Sequence, residues 1–567
     1  MSPSSTPRPR RERWLLCGVL LLALLGGLAF LNPYLDSDGD NAGYIVLAKS
    51  IASGRGFTSI NFPDYIPHTL YYPLYPLVLS PIVAAWPGNY LLPKLPSLLF
   101  TLVLVGAVWV LFRPRTGGSL WTLGLLVAGV ALNRHVAEHA AATMTEAQYL
   151  GLSFLALAWA ERWESGAGLR EGVVLGLFVA AATMTKPIGI TLAAAVVLAW
   201  LLRRRWTGAL AALLIVGLVA GGWAARNARI VTPDNAFANP TFGNTSYGKQ
   251  ILLRSPYRPE AGEMGLLEFL GQWPRRILSN FDRVARIAHP AYTVELFAIG
   301  RPTGASPLFA VPFIVLSLIG WILCIRGRPR SAELYMLFYL GAVTLYGAVR
   351  VRYVLPVMPL ALFYLVRGVD AVVGAIRRRS VDVNGPAGAG GIAVLAAAVF
   401  LSVLLLARQA RFSYQDDFGP RKAANLYDRV DMGSGSYFRA AEWLRDNTPP
   451  DAVIMGMKPW LAYLITGRHT TVFQFGYNQQ DTIDILHRHR VDYVIEDRGW
   501  FWQSRQFLTP LIEAYPGAFT EVHREEGPET RVYRVDRSNL PPPRPSAVHQ
   551  LSGSGALHSA RGPSRSL

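Results

Sequence analysis

The sequence predicts a polytopic α-helical membrane protein with a small soluble α/β domain near its C-terminal end. Three observations lead there. Of 567 residues, 51% are apolar and only 16% charged, and the apolar ones gather in charge-free runs. Such runs of about 18–25 residues read as transmembrane helices, because a helix satisfies its own backbone polar groups in hydrocarbon. Arg residues cluster between the runs, as loops facing the cytoplasm require. Past residue 408 the pattern changes to short, alternating helical and strand segments, the signature of an α/β unit.

The elements follow in chain order. A basic cytoplasmic N-terminus, 1–13, carries Arg8, Arg10, Arg11 and Arg13. The first span, near 14–31, is too long for a signal-peptide core and lacks a small-residue cleavage site, so it reads as an uncleaved anchor. Further spans lie near 91–112, 119–134, 145–161, 171–185, 187–202, 208–225, 306–325, 331–349, 353–371 and 390–407. The stretch Tyr71–Trp86 is apolar but short and broken by Pro81. If it crossed the bilayer, every Arg cluster from Arg113/Arg115 to Arg377-Arg378-Arg379 would move outside. The positive-inside rule therefore lays it along the outer surface and leaves about eleven spans.

That topology turns the loops 32–90, 135–145 and 226–305 outward, with everything after about 408. Within 226–305, Leu266, Leu267, Leu270, Trp273, Ile277, Leu278 and Phe281 recur at helical spacing among Arg275, Arg276, Arg283 and Arg286. This predicts a juxtamembrane amphipathic helix at the bilayer surface. The soluble domain, 408–535, is read as helix 436–447, strand 452–454, helix 460–466, strand 471–473, helix 481–488 and strand 491–495, around a mainly parallel sheet. The tail 536–567, rich in Pro, Ser and Arg, is expected to be disordered.

Charge and cysteines exclude other classes. The net charge of +18 does not point to nucleic acid, because the Arg residues sit where they orient the protein and meet lipid headgroups. Cys17 and Cys324 both fall in apolar spans, giving neither a disulfide framework nor metal-ligand spacing. His135-x-x-Glu138-His139 lacks a third fixed ligand, a weak metal signal. No cofactor is expected.

The chemistry is expected in the outer loops. Asp36, Asp38 and Asp40 stand within five positions at the lip of the bilayer, and clustered carboxylates are usually tolerated only at functional sites. Asp40 is the candidate catalytic base, with capping of the helix 41–53 as the plain alternative. Arg55 lies just beyond that helix, where it either pairs with the aspartates or binds phosphate. Lys186, Arg226, Arg350 and Arg352 also occupy outer span ends. Each breaches the inside bias, and charge at that depth is costly unless partnered or functional. Snorkelling explains any one of them; together they suggest a pocket for an anionic headgroup, Arg gripping phosphate bidentately. Glu146, at a span mouth, is the third candidate catalytic carboxylate. Tyr44, His68 and Tyr72 are the candidate substrate-binding residues.

Short motifs carry a family resemblance over roughly the first 410 residues: Asp40-Asn41-x-x-Tyr44-x-x-x-Ala48, Gly54-x-Gly56, Tyr72-Pro73-Leu74-Tyr75-Pro76, Thr145-Glu146, Lys186-Pro187, Trp223-x-x-Arg226-Asn227 and Arg352-Tyr353-x-x-Pro356. In order and spacing they resemble the GT-C superfamily of integral-membrane glycosyltransferases, on the branch of protein O-mannosyltransferases and the lipid A aminoarabinose transferase. The chain departs from the family at Asn41, where Glu is usual, which makes Asp38 the candidate for a second carboxylate. The resemblance implies a sugar donor on a polyprenyl phosphate or diphosphate, and a lipid, glycan or protein acceptor. It also implies a bacterial inner-membrane location with the catalytic loops and C-terminal domain outside the cytoplasm. Asp40 would be the general base, and Arg55, Lys186, Arg226, Arg350 and Arg352 would hold the donor phosphate. A polytopic transporter or lipid-linked-glycan flippase is the rival reading. It predicts binding groups near the midplane and inverted repeats, neither of which the sequence displays.

Overall fold

The computed structural model describes residues 10–36, 39–230, 251–255, 261–288, 307–326, 329–346, 350–377, 382, 384–415, 435–476, 478–499, 501–526 and 529–544. Asp38, much of the loop 226–305 and the tail from 545 lie outside them. Two compact units divide the chain. One comprises 1–60 and 65–429; the other joins 61–64 to 430–567.

The first unit is a bundle of apolar helices. Among the described residues, four are long and apolar enough to cross a bilayer alone: Leu92–Arg115, Trp206–Ile230, Val351–Ile376 and Ala389–Arg411. Leu120–Ala131 and Arg134–Ala140 make a fifth if taken as one span bent by 57°. This strict count is lower than the eleven spans read from the sequence. Several other helices are short, such as Gly189–Leu202 and Ser331–Leu345, or carry charge at their ends, as Thr145–Arg162 does. The bend at residue 133 interrupts what the sequence presented as one span and a loop. Asn133 causes it locally: its side-chain oxygen accepts from the backbone N–H groups of His135 and Val136 at 3.0 and 3.4 Å, so it caps a new helix. Leu74–Ala85 spans 12 residues, about 18 Å at the α-helical rise, well short of a hydrocarbon core of about 30 Å.

Close helix approach depends on missing side chains. A Cβ on Gly320 would lie 1.9 Å from the Tyr364 carbonyl, and one on Gly368 would lie 1.8 Å from the Leu316 carbonyl. Pro307–Ile325 and Met358–Ile376 therefore touch backbone to backbone, which is how helices associate where lipid removes the hydrophobic drive.

One end of the bundle contains a dry ionic network. Arg115 reaches Glu161 at 2.5 Å and Glu333 at 2.6 Å, and Tyr364 donates to Glu333 at 3.0 Å. Arg367 caps the Arg115 and Gly385 carbonyls at 2.5 and 2.8 Å. The carboxylates gain backbone donors too, Ala332 on Glu161 and Arg330 on Glu333.

The amphipathic segment forms two helices, Leu266–Gly271 and Trp273–Ala288. The second buries Val284, Ala285 and Ile287 in the bundle core. Leu266, Leu267 and Leu278 remain exposed.

The second unit is built on a five-stranded sheet. Its spatial order is Thr470–Thr471, Ile454–Met455, Tyr493–Asp497, Thr530–Val535, Phe519–Glu525. The first two pairings are parallel and the last two antiparallel. The sheet is thus mixed rather than mainly parallel. Its C-terminal hairpin went unread because Phe519–Glu525 is mostly exposed and shows little alternation of apolar residues. Residues 537–544 are also ordered rather than tail-like: Arg544 binds Asp481 at 2.5 Å and Asp484 at 2.6 Å.

Candidate active site

The first loop turns into the helix Asp40–Ala52 through Gly39, whose φ of 92° lies in the left-handed region that glycine enters without strain. Gly39 is the N-cap and no side chain caps this helix. Asp40 is therefore its first residue and not its cap, which leaves both carboxylate oxygens free for other partners. Tyr71 donates its hydroxyl to Oδ1 at 3.0 Å, and the Arg352 guanidinium meets Oδ2 at 2.5 Å.

Arg352 is the hub. It stands in the short 3₁₀ turn Val351–Val357, and its Nε also lies 3.6 Å from Glu146. Glu146, at the start of Thr145–Arg162, is nearly buried and takes the Lys186 ammonium at 2.7 Å. Lys186 comes from the break between Leu169–Thr185 and Gly189–Leu202. Burial pulls its pKa below the usual lysine value, while the charge of Glu146 pushes it back up. The Tyr353 ring lies beneath both cations, 5.9 Å from Lys186 and 5.6 Å from Arg352. Four segments far apart in sequence thus supply an alternating row: Asp40, Arg352, Glu146, Lys186. The Asp40 side chain is 34% exposed and Glu146 only 3%, so the row runs from an accessible carboxylate inward to a dry one.

The other expected residues take different places. Tyr44 is buried, its ring against Tyr71 and Tyr75 at 4.6 and 5.3 Å, its hydroxyl 3.5 Å from Thr145. His68 is buried as well. Its Nε2 accepts from the Tyr71 backbone N–H and its Nδ1 meets Ser59, both at 2.9 Å. Burial and the nearby Arg226 charge hold its pKa down at about 3. Tyr72 leans on Trp223 with ring centroids 6.1 Å apart. Arg226 does not join the row: it donates to the carbonyls of His68 at 2.7 Å and Phe57 at 3.3 Å and lies over the Trp223 ring. Arg55 is exposed over Tyr65 at 4.4 Å. Arg350 is exposed too. Asp36 pairs with the buried Lys94 at 2.8 Å, which separates its charge balance from that of Asp40.

Sequence reasoning gave no role to Tyr71 or Lys94. Lys94 was detectable: it is one of only six lysines and stands near the outer end of the span read at 91–112, and an outer span end is what singled out Lys186. Tyr71 carried no such signal, since one tyrosine in an aromatic run reads as an interface residue. Among the described residues no group of three or more His, Cys, Asp or Glu could hold a metal ion.

No family model matches this chain, and no curated protein does. Solved structures do. ArnT from Cupriavidus metallidurans in the apo state aligns over 94% of this chain and 100% of its own, with 13% identity and a TM-score of 0.53. The same protein bound to undecaprenyl phosphate aligns over 94% and 99%, with 12% identity and a TM-score of 0.52. At that identity the likeness is one of fold. This chain shares the polytopic helical fold of that protein.

Proposed function

We propose that this protein is a membrane glycosyltransferase. It moves a sugar from a polyprenyl-phosphate or diphosphate donor to an acceptor on the outer face of the membrane. One observation carries the reading: a part-exposed Asp40 shares Arg352 with the ion pair of buried Glu146 and part-exposed Lys186, so a base and two cations converge at one site. The occupied form of the fold relative, with undecaprenyl phosphate bound, supports a lipid-linked phosphate as the donor's carrier.

In this mechanism the donor phosphate takes Arg352 and Lys186 as its counter-charges. That relieves Asp40 of its guanidinium partner, leaving a carboxylate able to accept a proton. The acceptor hydroxyl oxygen attacks the anomeric carbon while its proton passes to Asp40. The anomeric C–O bond breaks, its electron pair leaves on the polyprenyl phosphate, and the configuration inverts. Arg352 and Lys186 stabilise the growing phosphate charge, and Glu146 keeps Lys186 in place. Arg55 and Arg350, exposed nearby in sequence, extend the basic approach to the site, and Arg226 secures the loop bearing His68. Tyr44, His68 and Tyr72 shape the substrate side, and Asp38 is the candidate second carboxylate. The setting is the inner membrane of a bacterium, with this face and the α/β unit outside the cytoplasm. The transferred group is a hexose or pentose and the acceptor a lipid, glycan or protein.

The test is incubation of purified protein with a labelled polyprenyl-phosphate sugar and envelope acceptors. Release of polyprenyl phosphate with label in the acceptor is expected from wild type and not from Asp40→Asn. Equal turnover by the two proteins removes Asp40 from the mechanism.

A further inference from the structure

The geometry points to Tyr71 as a positioning residue for Asp40, held in place by a relay that begins at the end of the helix Trp206–Ile230. This rests on the proposed role of Asp40 and deepens it.

The relay is continuous. At the end of that helix, Arg226 donates to the His68 carbonyl at 2.7 Å and Asn227 to the Thr69 carbonyl at 3.3 Å. Two donors on consecutive carbonyls fix the backbone of the 66–71 turn. His68 is locked on both ring nitrogens: Nε2 accepts from the Tyr71 N–H, so in the neutral ring Nδ1 carries the proton toward Ser59. A ring with its pKa near 3 stays neutral throughout the neutral range, so Nε2 remains available as an acceptor. Tyr71 is then held at its backbone by His68 and at its ring by tilted contacts with Tyr44 and His68, centroids 4.6 and 5.1 Å away. Its hydroxyl donates to Asp40 Oδ1 at 3.0 Å.

The consequence for Asp40 is directional. Its two oxygens are held by different groups: Oδ1 by a neutral hydroxyl, Oδ2 by the Arg352 guanidinium. When phosphate draws Arg352 away, Tyr71 is the contact that keeps the carboxylate plane fixed and Oδ2 aimed into the vacated space. A fixed base gains from orientation what a freely turning one loses. The charged and titratable groups facing Asp40 are Tyr71 from the turn before Leu74–Ala85, Arg352 from the 3₁₀ turn, Glu146 through Arg352, and Lys186, which feels the Asp40 charge.

Tyr71→Phe is the decisive variant, since it keeps both ring contacts and deletes one oxygen. Turnover should fall about tenfold, with the KM for donor changed less than about threefold. In an Asp40→Ala background the same change should alter the residual rate by less than about twofold, because the group it positions is gone. A second readout needs no turnover: a double-mutant cycle of Tyr71→Phe and Asp40→Ala on the melting midpoint of the purified protein. The shift caused by Tyr71→Phe should shrink by about half or more when Asp40 is already Ala. Additive melting shifts, with an equal turnover loss in both backgrounds, would overturn the role of Tyr71, even if Asp40→Asn is inactive. An inactive wild type whose melting shifts still couple would instead count against the proposed reaction and leave the positioning contact standing.

Discussion

Glu146 and Glu161 stand at opposite ends of one helix, Thr145–Arg162, about 22 Å apart at the α-helical rise, and they live in different worlds. Around Glu161, Arg115 and Glu333 are each at most 7% exposed and saturated by one another and by backbone groups. Around Glu146, exposure rises to 20% at Lys186 and 34% at Asp40, and Arg352 divides itself between two carboxylates. A buried pair that is fully satisfied fixes structure, and removing one partner costs heavily because the other is stranded. A row of charges open at one end can exchange a partner for a ligand. The same residue types therefore serve packing at one end and, on our reading, chemistry at the other.

The largest effect expected is a loss of about 10²–10⁴-fold in transfer for Asp40→Asn, with the melting midpoint of the purified protein hardly moved. A collapse in stability instead would make the two ends alike and break the distinction. Arg115→Met should do the reverse. Stranding Glu161 and Glu333 costs about 3–5 kcal/mol, seen as loss of monodisperse protein on fluorescence-detected size exclusion, while the surviving molecules turn over normally. Arg352→Lys sharpens the contrast further. Lysine keeps the charge but cannot span Asp40 and Glu146 with one planar fork, so kcat/KM should drop about 10- to 100-fold, mostly through KM for the donor.

A smaller effect comes from His68. Its folded pKa is depressed to about 3 against about 6.5 when unfolded. The unfolded chain alone takes up a proton between those values, so this contribution to stability is intact above about pH 6.5 and declines as pH falls toward 3. The slope is at most about 1.4 kcal/mol per pH unit. Thermal melts of wild type and His68→Gln across that range should converge in their pH dependence at high pH and diverge toward acid. Smallest of all, Arg350→Ala should change donor KM by less than about threefold, because the side chain is exposed; a large change would enlarge the site beyond the row.

Much of this was legible in the sequence. Asp40 stands out as one of three clustered aspartates, Glu146 as a carboxylate at a span mouth, and Lys186 and Arg352 as outer-end cations whose cost demands an explanation. The bundle and the alternating α/β unit were legible from hydropathy and period. Legibility failed where a residue acts through shape. Tyr71 and the cap at Asn133 are ordinary polar residues in ordinary places until the backbone is folded. The ionic network at the Arg115 end was read only as topology, because Arg113 and Arg115 in a short loop satisfy the inside bias without needing partners.

Composition and periodicity by themselves determined that this chain is a membrane bundle followed by an α/β unit, because burial in lipid dictates long apolar runs and tolerates few charges. They also marked which charges were out of place. Only the tertiary structure decided which of those charges meet. Arg226 turned to backbone carbonyls and Arg352 to Asp40 across a separation of 312 residues. Such pairing depends on ångström-scale approach between helices, set by contacts like Gly320 on Tyr364, and no linear pattern records it.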